Sequence, residues 1–445
     1  MRRFRTYAAL GSIAALALAG AAGCSSSDDS SDDGEASVYY LNFKPESEDA
    51  WKEVAAAYEK ETGVKVKIVT AASGDYQPTL KTELAKSDAP TLFNINGPVG
   101  YETWKDYTLD LTDTDFAKHL SDPSMAVTGE DGKIYGVPFA TEGYGIIYND
   151  AIMQQYFQTD GAVATSMDDI NNFDTLKAVA DDMQSKKDEL GIDGVFASTS
   201  LSPGEEWRWQ THLANYPVYY ELRDKDLADT DTVEMTYGDN YKDIFDLYLT
   251  DSTISASQAP AKLVTDSMSE FALGKAAMVQ NGNWAWSQIS EVEGNTVKEE
   301  DIHFLPIYMG VDGEEEAGLA IGTENFLAVN SQASEADQQA AIDFANWLFT
   351  SEDGTKLVSE KLGFIAPFDT FEDLAPEDPL GKEVVEYMNN DDLYNVTWVF
   401  TVFPSQDFKN QLGQHLSQYA TGQEEWSDVM EYFTSAWTSE KQKNS

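Results

Sequence analysis

The chain has 445 residues, with 29 Lys+Arg against 78 Asp+Glu, a formal net charge of −49. Hydrophobic residues make up 42% and aromatics 12%, enough for a substantial core and for two or three domain-sized lobes. Such acidity excludes nucleic acid and anionic lipid headgroups as the main partner, because long-range repulsion opposes the encounter. A neutral ligand or a cation is easier to accommodate.

In chain order, Arg2, Arg3 and Arg5 form a basic segment ahead of an apolar, Ala-rich stretch from Tyr7 to Ala22 that is short for a membrane span. It ends in Gly20-Ala21-Ala22-Gly23-Cys24, small residues before the single cysteine. This resembles a bacterial lipobox, although Ala21 stands where Leu is usual. The resemblance implies cleavage after residue 23 and acylation of Cys24. With Cys24 acylated, no thiol is left for a disulfide or a thiolate. The following Ser25–Ser37 run of Ser and Asp has nothing to bury and reads as a flexible, self-repelling tether.

From Val38 onward, short apolar runs alternate with helical patterns, which predicts an α/β fold. Strands are expected at 38–41, 64–69 and 91–95, separated by helices at 49–62 and 79–86. That βαβαβ order predicts a parallel sheet with binding loops at the carboxyl ends of its strands. Further strands are expected at 134–139, 145–149, 195–197, 276–279, 302–306 and 326–329. A helix is expected over 172–185, and a capping box at Ser334–Asp337 opens another. The last hundred residues read as mostly helical.

No Gly-rich phosphate loop, nucleophile elbow or zinc-protease motif is present, and the four histidines lack ligand spacing, so neither a cofactor nor a metal site is expected. The aromatic supply is the unusual feature: 10 Trp, 22 Tyr and 21 Phe, several at strand ends. Trp284 and Trp286 follow Asn281-Gly282-Asn283; Trp207 and Trp209 flank Arg208; Trp398, Phe400 and Phe403 share one turn-rich segment. Aromatic faces stack on the C–H faces of pyranose rings while carboxylates and amides take the hydroxyls. Each of these tryptophans taken alone reads more readily as a core plug; together they make the better case for a sugar site.

Two stretches are more specific. Residues 273–287 (LGKAAMVQNGNWAWS) and 135–149 (YGVPFATEGYGIIYN) resemble the family 1 extracellular solute-binding proteins, the carbohydrate receptors of ABC importers related to maltose-binding protein. Residues 344–357 (FANWLFTSEDGTKL) resemble the same family's last crossover helix. The resemblance implies a two-lobed periplasmic-binding-protein-like fold with three crossovers, near 140–142, 304–307 and 349–353. Lobe 1 would comprise 37–141 and 307–350, lobe 2 142–306 and 351–445, after a signal peptide at 1–23 and a tether at 24–36.

It further implies that Trp284 stacks on a sugar and that Glu142 bonds its hydroxyls. Asn42, Phe43 and Lys44 after the first strand, Asn96 after the third, Asn283, Trp398, and one or both of Trp207 and Trp209 complete the candidate site. The implied function is a monomeric receptor, lipid-anchored on the extracellular face of a Gram-positive membrane. It captures a neutral di- to tetrasaccharide and delivers it to permease subunits without breaking a bond. A same-fold receptor for a polyamine or other solute, and a surface glycoside hydrolase, are the alternatives.

Overall fold

The computed structural model describes residues 36–72 and 74–444. The apolar leader, Cys24 and the Ser/Asp run up to residue 35 lie outside the described residues. Among the described residues, twelve strands form two sheets. They are β1 (Ser37–Asn42), β2 (Lys65–Thr70), β3 (Leu92–Ile95), β4 (Val127–Thr128), β5 (Ile134–Pro138), β6 (Glu142–Asn149), β7 (Gly194–Phe196), β8 (Ala276–Gly282), β9 (Ile302–Leu305), β10 (Ala317–Gly322), β11 (Phe326–Val329) and β12 (Tyr394–Thr397).

The first sheet runs β2-β1-β3-β11-β5-β4. Its first three strands are parallel, as the βαβαβ order requires, while β11 enters antiparallel to β3 and β5. Strand β1 is buried along five of its six residues and reads as a continuous apolar run; β2, at the sheet edge, alternates Lys with Val and Ile. Helix Glu48–Thr62 buries Trp51, Val54, Ala55 and Tyr58 and stops at Gly63 (φ 80°), a left-handed position that glycine adopts without strain.

The second sheet runs β12-β10-β6-β8-β7, with β9 pairing the far half of β6. Strand β10 carries no strand signature. Ala317-Gly318-Leu319-Ala320-Ile321-Gly322 is rich in small residues of low strand propensity, and burial between β6 and β12 overrides that preference.

The chain passes between the sheets at 139–141, 323–325 and 372–379, so two expected crossovers are corrected. Residues 317–322 pair with Glu142–Tyr144 in the second sheet, which moves the crossover expected at 304–307 to 323–325. Helix Glu352–Glu360 and the segment through Phe371 stay on the first lobe, where Val358, Phe364, Phe368 and Phe371 join Trp51, Phe344 and Phe349 in one core. From Leu380 the side chains enter the second lobe's cores. The aromatic C-terminus closes that lobe: Phe408, Phe433 and Trp437 are fully buried in mutual contact, each removing enough apolar surface from water to contribute about 2–3 kcal/mol.

One buried carboxylate in this lobe titrates in an accessible range. Asp251 follows helix Gly238–Thr250, is 6% exposed, and its Oδ2 has no hydrogen-bond partner among the described residues. Burial, with Asp181 adding repulsion, pushes its carboxyl up to about 6. The folded chain therefore holds a proton that the unfolded chain releases near pH 4, and this contribution to stability is lost as pH rises through about 6. Comparing melting temperatures of Asp251→Asn and the parent chain from pH 4 to 7.5, we expect the difference to move in the variant's favour up to about pH 6–7 and then level off. A pH-independent difference would contradict the assignment.

Candidate functional site

Register brings both sheets' loop-bearing edges together. In the first sheet, Phe326 at the start of β11 sits opposite Ile95 at the end of β3 and Pro138 at the end of β5, and parallel β1 ends beside β3. The loops after β1 and β3, and the two crossovers flanking β5 and β11, therefore share one edge. In the second sheet, Glu142 opens β6 opposite Gly322, the last residue of β10, and Tyr144 pairs with Gly282, the last residue of β8. Glu142, the β8 loop and the β10 loop share that edge. The first lobe touches the second where Gly97 approaches Thr401 and where the Gly74 and Gly204 backbones meet.

Lys44 crosses from the first edge to the second. Asn42 shapes its loop: the Asn42 Oδ1 accepts from the Lys44 backbone N–H at 3.1 Å and its Nδ2 donates to the Lys44 carbonyl at 2.6 Å. The Lys44 Nζ donates to Glu142 Oε1 at 2.5 Å, lies 3.5 Å from Glu46 Oε1, and stands 5.4 Å from the centroid of the Trp284 ring. Lys44 is 5% exposed and Glu142 6%. Burial works against the Lys44 charge, yet Glu142 and Glu46 hold the ammonium above the ordinary lysine range. Burial raises the Glu46 carboxyl, with Lys44 opposing.

Against this ion pair stands an aromatic wall. Residues 208–213 form a π-helical turn, anchored by Arg208, whose guanidinium donates to the Gln280 carbonyl and to the hydroxyls of Ser200 and Ser267. Burial draws Arg208 down to about 10, and no carboxylate pairs with it among the described residues. The turn delivers Trp207 and His212. The His212 ring lies 4.5 Å from Tyr144, 5.4 Å from Trp207, 5.5 Å from Trp284, 5.4 Å from Trp398 and 5.0 Å from Phe400. Burial, reinforced by Lys409 and Lys44, keeps His212 well below the usual imidazole range and hence neutral. Two glycines let the tryptophans lie flat: the Trp284 ring rests on Gly282, and a Cβ on Gly322 would stand 2.6 Å from the Trp398 ring.

The ten residues expected at the site divide accordingly. Lys44, Glu142, Trp207, Trp284 and Trp398 converge. Asn42 and Asn283 stand behind them: the Asn42 amide is engaged by its own loop, and the Asn283 Oδ1 accepts from the Gly143 N–H at 3.1 Å and fixes the turn into Trp284. Phe43 packs on Tyr76 in a satellite core of the first lobe, and Asn96 accepts from Gln77 at 3.4 Å at the end of β3. Trp209 is corrected outright: it is 1% exposed, packs on Phe245 and Tyr248, and donates from Nε1 to the Ser200 carbonyl inside the second lobe's core.

His212 and Glu46, and Lys409 whose charge bears on His212, were not anticipated. Only Lys409 carries a sequence signal, as a lysine one residue after Phe408 and three before Leu412 on a buried helix face. Among the described residues, no His/Cys/Asp/Glu group is arranged to hold a metal ion, and no helix is long and apolar enough to cross a membrane.

The melibiose/raffinose/stachyose-binding protein MelE of Bacillus subtilis (strain 168) is 30% identical over 138 residues, 30% of this chain and 32% of that protein. The chain thus spans about a third of that curated relative's length. Among solved structures, RafE in complex with raffinose superposes with a TM-score of 0.69 at 18% identity, covering 91% of this chain and 99% of that one. A chitin oligosaccharide binding protein gives 0.70 at 18% identity over 92% and 100%. Maltose-bound T. maritima MalE3 gives 0.68 at 16% identity over 90% and 99%. At these identities the structures establish the two-lobed fold. The family model for bacterial extracellular solute-binding proteins matches residues 53–385, three quarters of the chain, which belongs to that family.

Proposed function

We propose that this chain captures a small neutral oligosaccharide between its lobes and delivers it to the permease of an ABC importer, held at the extracellular membrane face by an acylated Cys24. The observation that carries this reading is the pairing of an aromatic wall (Trp284, Trp207, Trp398) with the Lys44–Glu142 ion pair at the facing edges of the two sheets. The tryptophans supply apolar platforms for sugar C–H faces, and Lys44 and Glu142 supply a donor and an acceptor for hydroxyls. The names of the relatives, which mention raffinose, stachyose, maltose and chitin oligosaccharide, support a saccharide of a few units. The reading involves no bond cleavage.

Closure of the lobes on the ligand would bury it and present the surface that the permease reads.

Titration calorimetry on residues 36–445 against raffinose, stachyose, maltose and chitobiose tests the reading. We expect one-to-one binding to at least one of them, weakened in Trp284→Ala by about 2 kcal/mol, roughly 30-fold. Absence of binding across the panel, or unchanged affinity in Trp284→Ala, would contradict it. A methyl at Gly282 collides with the Trp284 ring, so Gly282→Ala should also weaken binding by about tenfold or more, with β8 otherwise intact on circular dichroism. Full affinity in Gly282→Ala would mean that the ring's position does not matter.

A further inference from the structure

His212 sits at the junction of the aromatic wall and is 5% exposed. Its ring lies 5.4 Å from Trp207 and Trp398, 5.5 Å from Trp284 and 5.0 Å from Phe400. Backbone and ring are both held: the Tyr144 hydroxyl donates to the His212 carbonyl, and the two rings meet edge-on at 4.5 Å. The π-helical turn over 208–213 therefore presents a preorganised imidazole to the wall.

Packing alone does not call for a histidine there. The indole nitrogens of Trp207, Trp284 and Trp398 can only donate and Phe400 can do neither, so the imidazole adds the ability to accept a hydrogen bond. Among the described residues, neither of its ring nitrogens has a hydrogen-bond partner; Nδ1 is enclosed within the wall, which leaves Nε2 for a ligand. A buried polar atom left unmet is expensive, and a phenyl ring would fill the same place without that cost. The other three histidines are engaged differently: His119, His303 and His415 each pair with a carboxylate, from Asp369, Glu383 and Glu424. Burial, with Lys409 and Lys44 reinforcing it, keeps His212 neutral, so one nitrogen donates and the other accepts.

Trp284 links this imidazole to the rest of the site. The Trp284 ring lies 5.5 Å from the His212 ring and 5.4 Å from Lys44 Nζ, which pairs with Glu142. A sugar packed on Trp284 therefore comes within reach of both. We propose that His212 binds one hydroxyl of the captured saccharide through Nε2 and is a specificity-determining residue of the cleft. A hydroxyl both donates and accepts, so it matches the imidazole in either tautomer. This inference rests on the saccharide reading and deepens it. A sugar that lacks this hydroxyl, or turns it away, leaves the imidazole nitrogen unmet and binds more weakly.

The test is calorimetry on residues 36–445 with the tightest saccharide of the panel and its monodeoxy series, on the parent chain and His212→Phe, with melting temperature as the folding control. His212→Phe keeps a flat ring against the tryptophans and removes both nitrogens. It should bind the intact sugar about tenfold more weakly and lose discrimination against one deoxy analogue, to within about threefold, while the other analogues keep their parent ratios. Parent-like affinity in His212→Phe, or a loss equal for the intact sugar and every analogue, would mean a packing role alone and overturn the inference. Nitrogen NMR of the imidazoles in the labelled parent chain decides the matter if His212→Phe does not fold, with His212 assigned through His119→Gln, His303→Gln and His415→Gln. The saccharide should move the His212 Nε2 resonance, and an unmoved resonance on saturation would overturn the inference. Neither overturning result touches the saccharide reading, whereas failure of the parent chain to bind any saccharide would overturn both.

Discussion

The buried Lys44–Glu142 pair is the constraint around which the site is organised. It joins the loop after the first strand to the first residue of β6, and so ties one sheet's edge to the other's. Two charges removed from water are tolerable only when each remains well partnered. Glu142 bonds Lys44 directly, Glu46 lies within ion-pair distance, and the face of Trp284 completes the surroundings of the ammonium. Asn42 holds the loop that makes this possible. A cluster of buried charge that depends on an interlobe contact ties the lobes' relative position to whatever sits between them, which is what a capturing receptor needs.

Sheet register then determines where the aromatic groups stand. Because Gly322 pairs with Glu142 and Gly282 with Tyr144, the loops carrying Trp398 and Trp284 emerge on either side of the same carboxylate. Both rings lie over glycine, so backbone replaces side chain at the points of closest approach. The π-helical turn brings Trp207 and His212 up to complete the wall, and Arg208 secures that turn through neutral partners. The result is a wall of apolar faces with charged groups at its margin, a combination suited to ligands that are apolar on one face and hydroxylated around the rim.

Much of this was legible in the sequence. Alternating runs such as Lys65–Thr70 and fully apolar ones such as Leu92–Ile95 announced the first sheet, and the segments around Glu142 and Trp284 marked the two loops that meet. Other features depend on tertiary context. Strand β10 is built from Ala and Gly that favour no strand by themselves, and the second crossover was misplaced because that strand went unseen. Trp207 and Trp209 are two residues apart and chemically alike; the helical turn they open puts them on different faces, and only tertiary packing decides which meets the wall and which enters the core. Glu46 is one of 78 acidic residues, and no local pattern separates a carboxylate beside a buried lysine from one on a solvated face.

The most direct test of the central claim, that the space between the facing sheet edges is the binding site, is a crystal structure of residues 36–445 grown with the tightest-binding saccharide. The account predicts a sugar ring packed face-on against Trp284, with hydroxyls within hydrogen-bond distance of Glu142 and Lys44. Density for the saccharide on any other surface, with the Lys44–Glu142 region unoccupied, would contradict it.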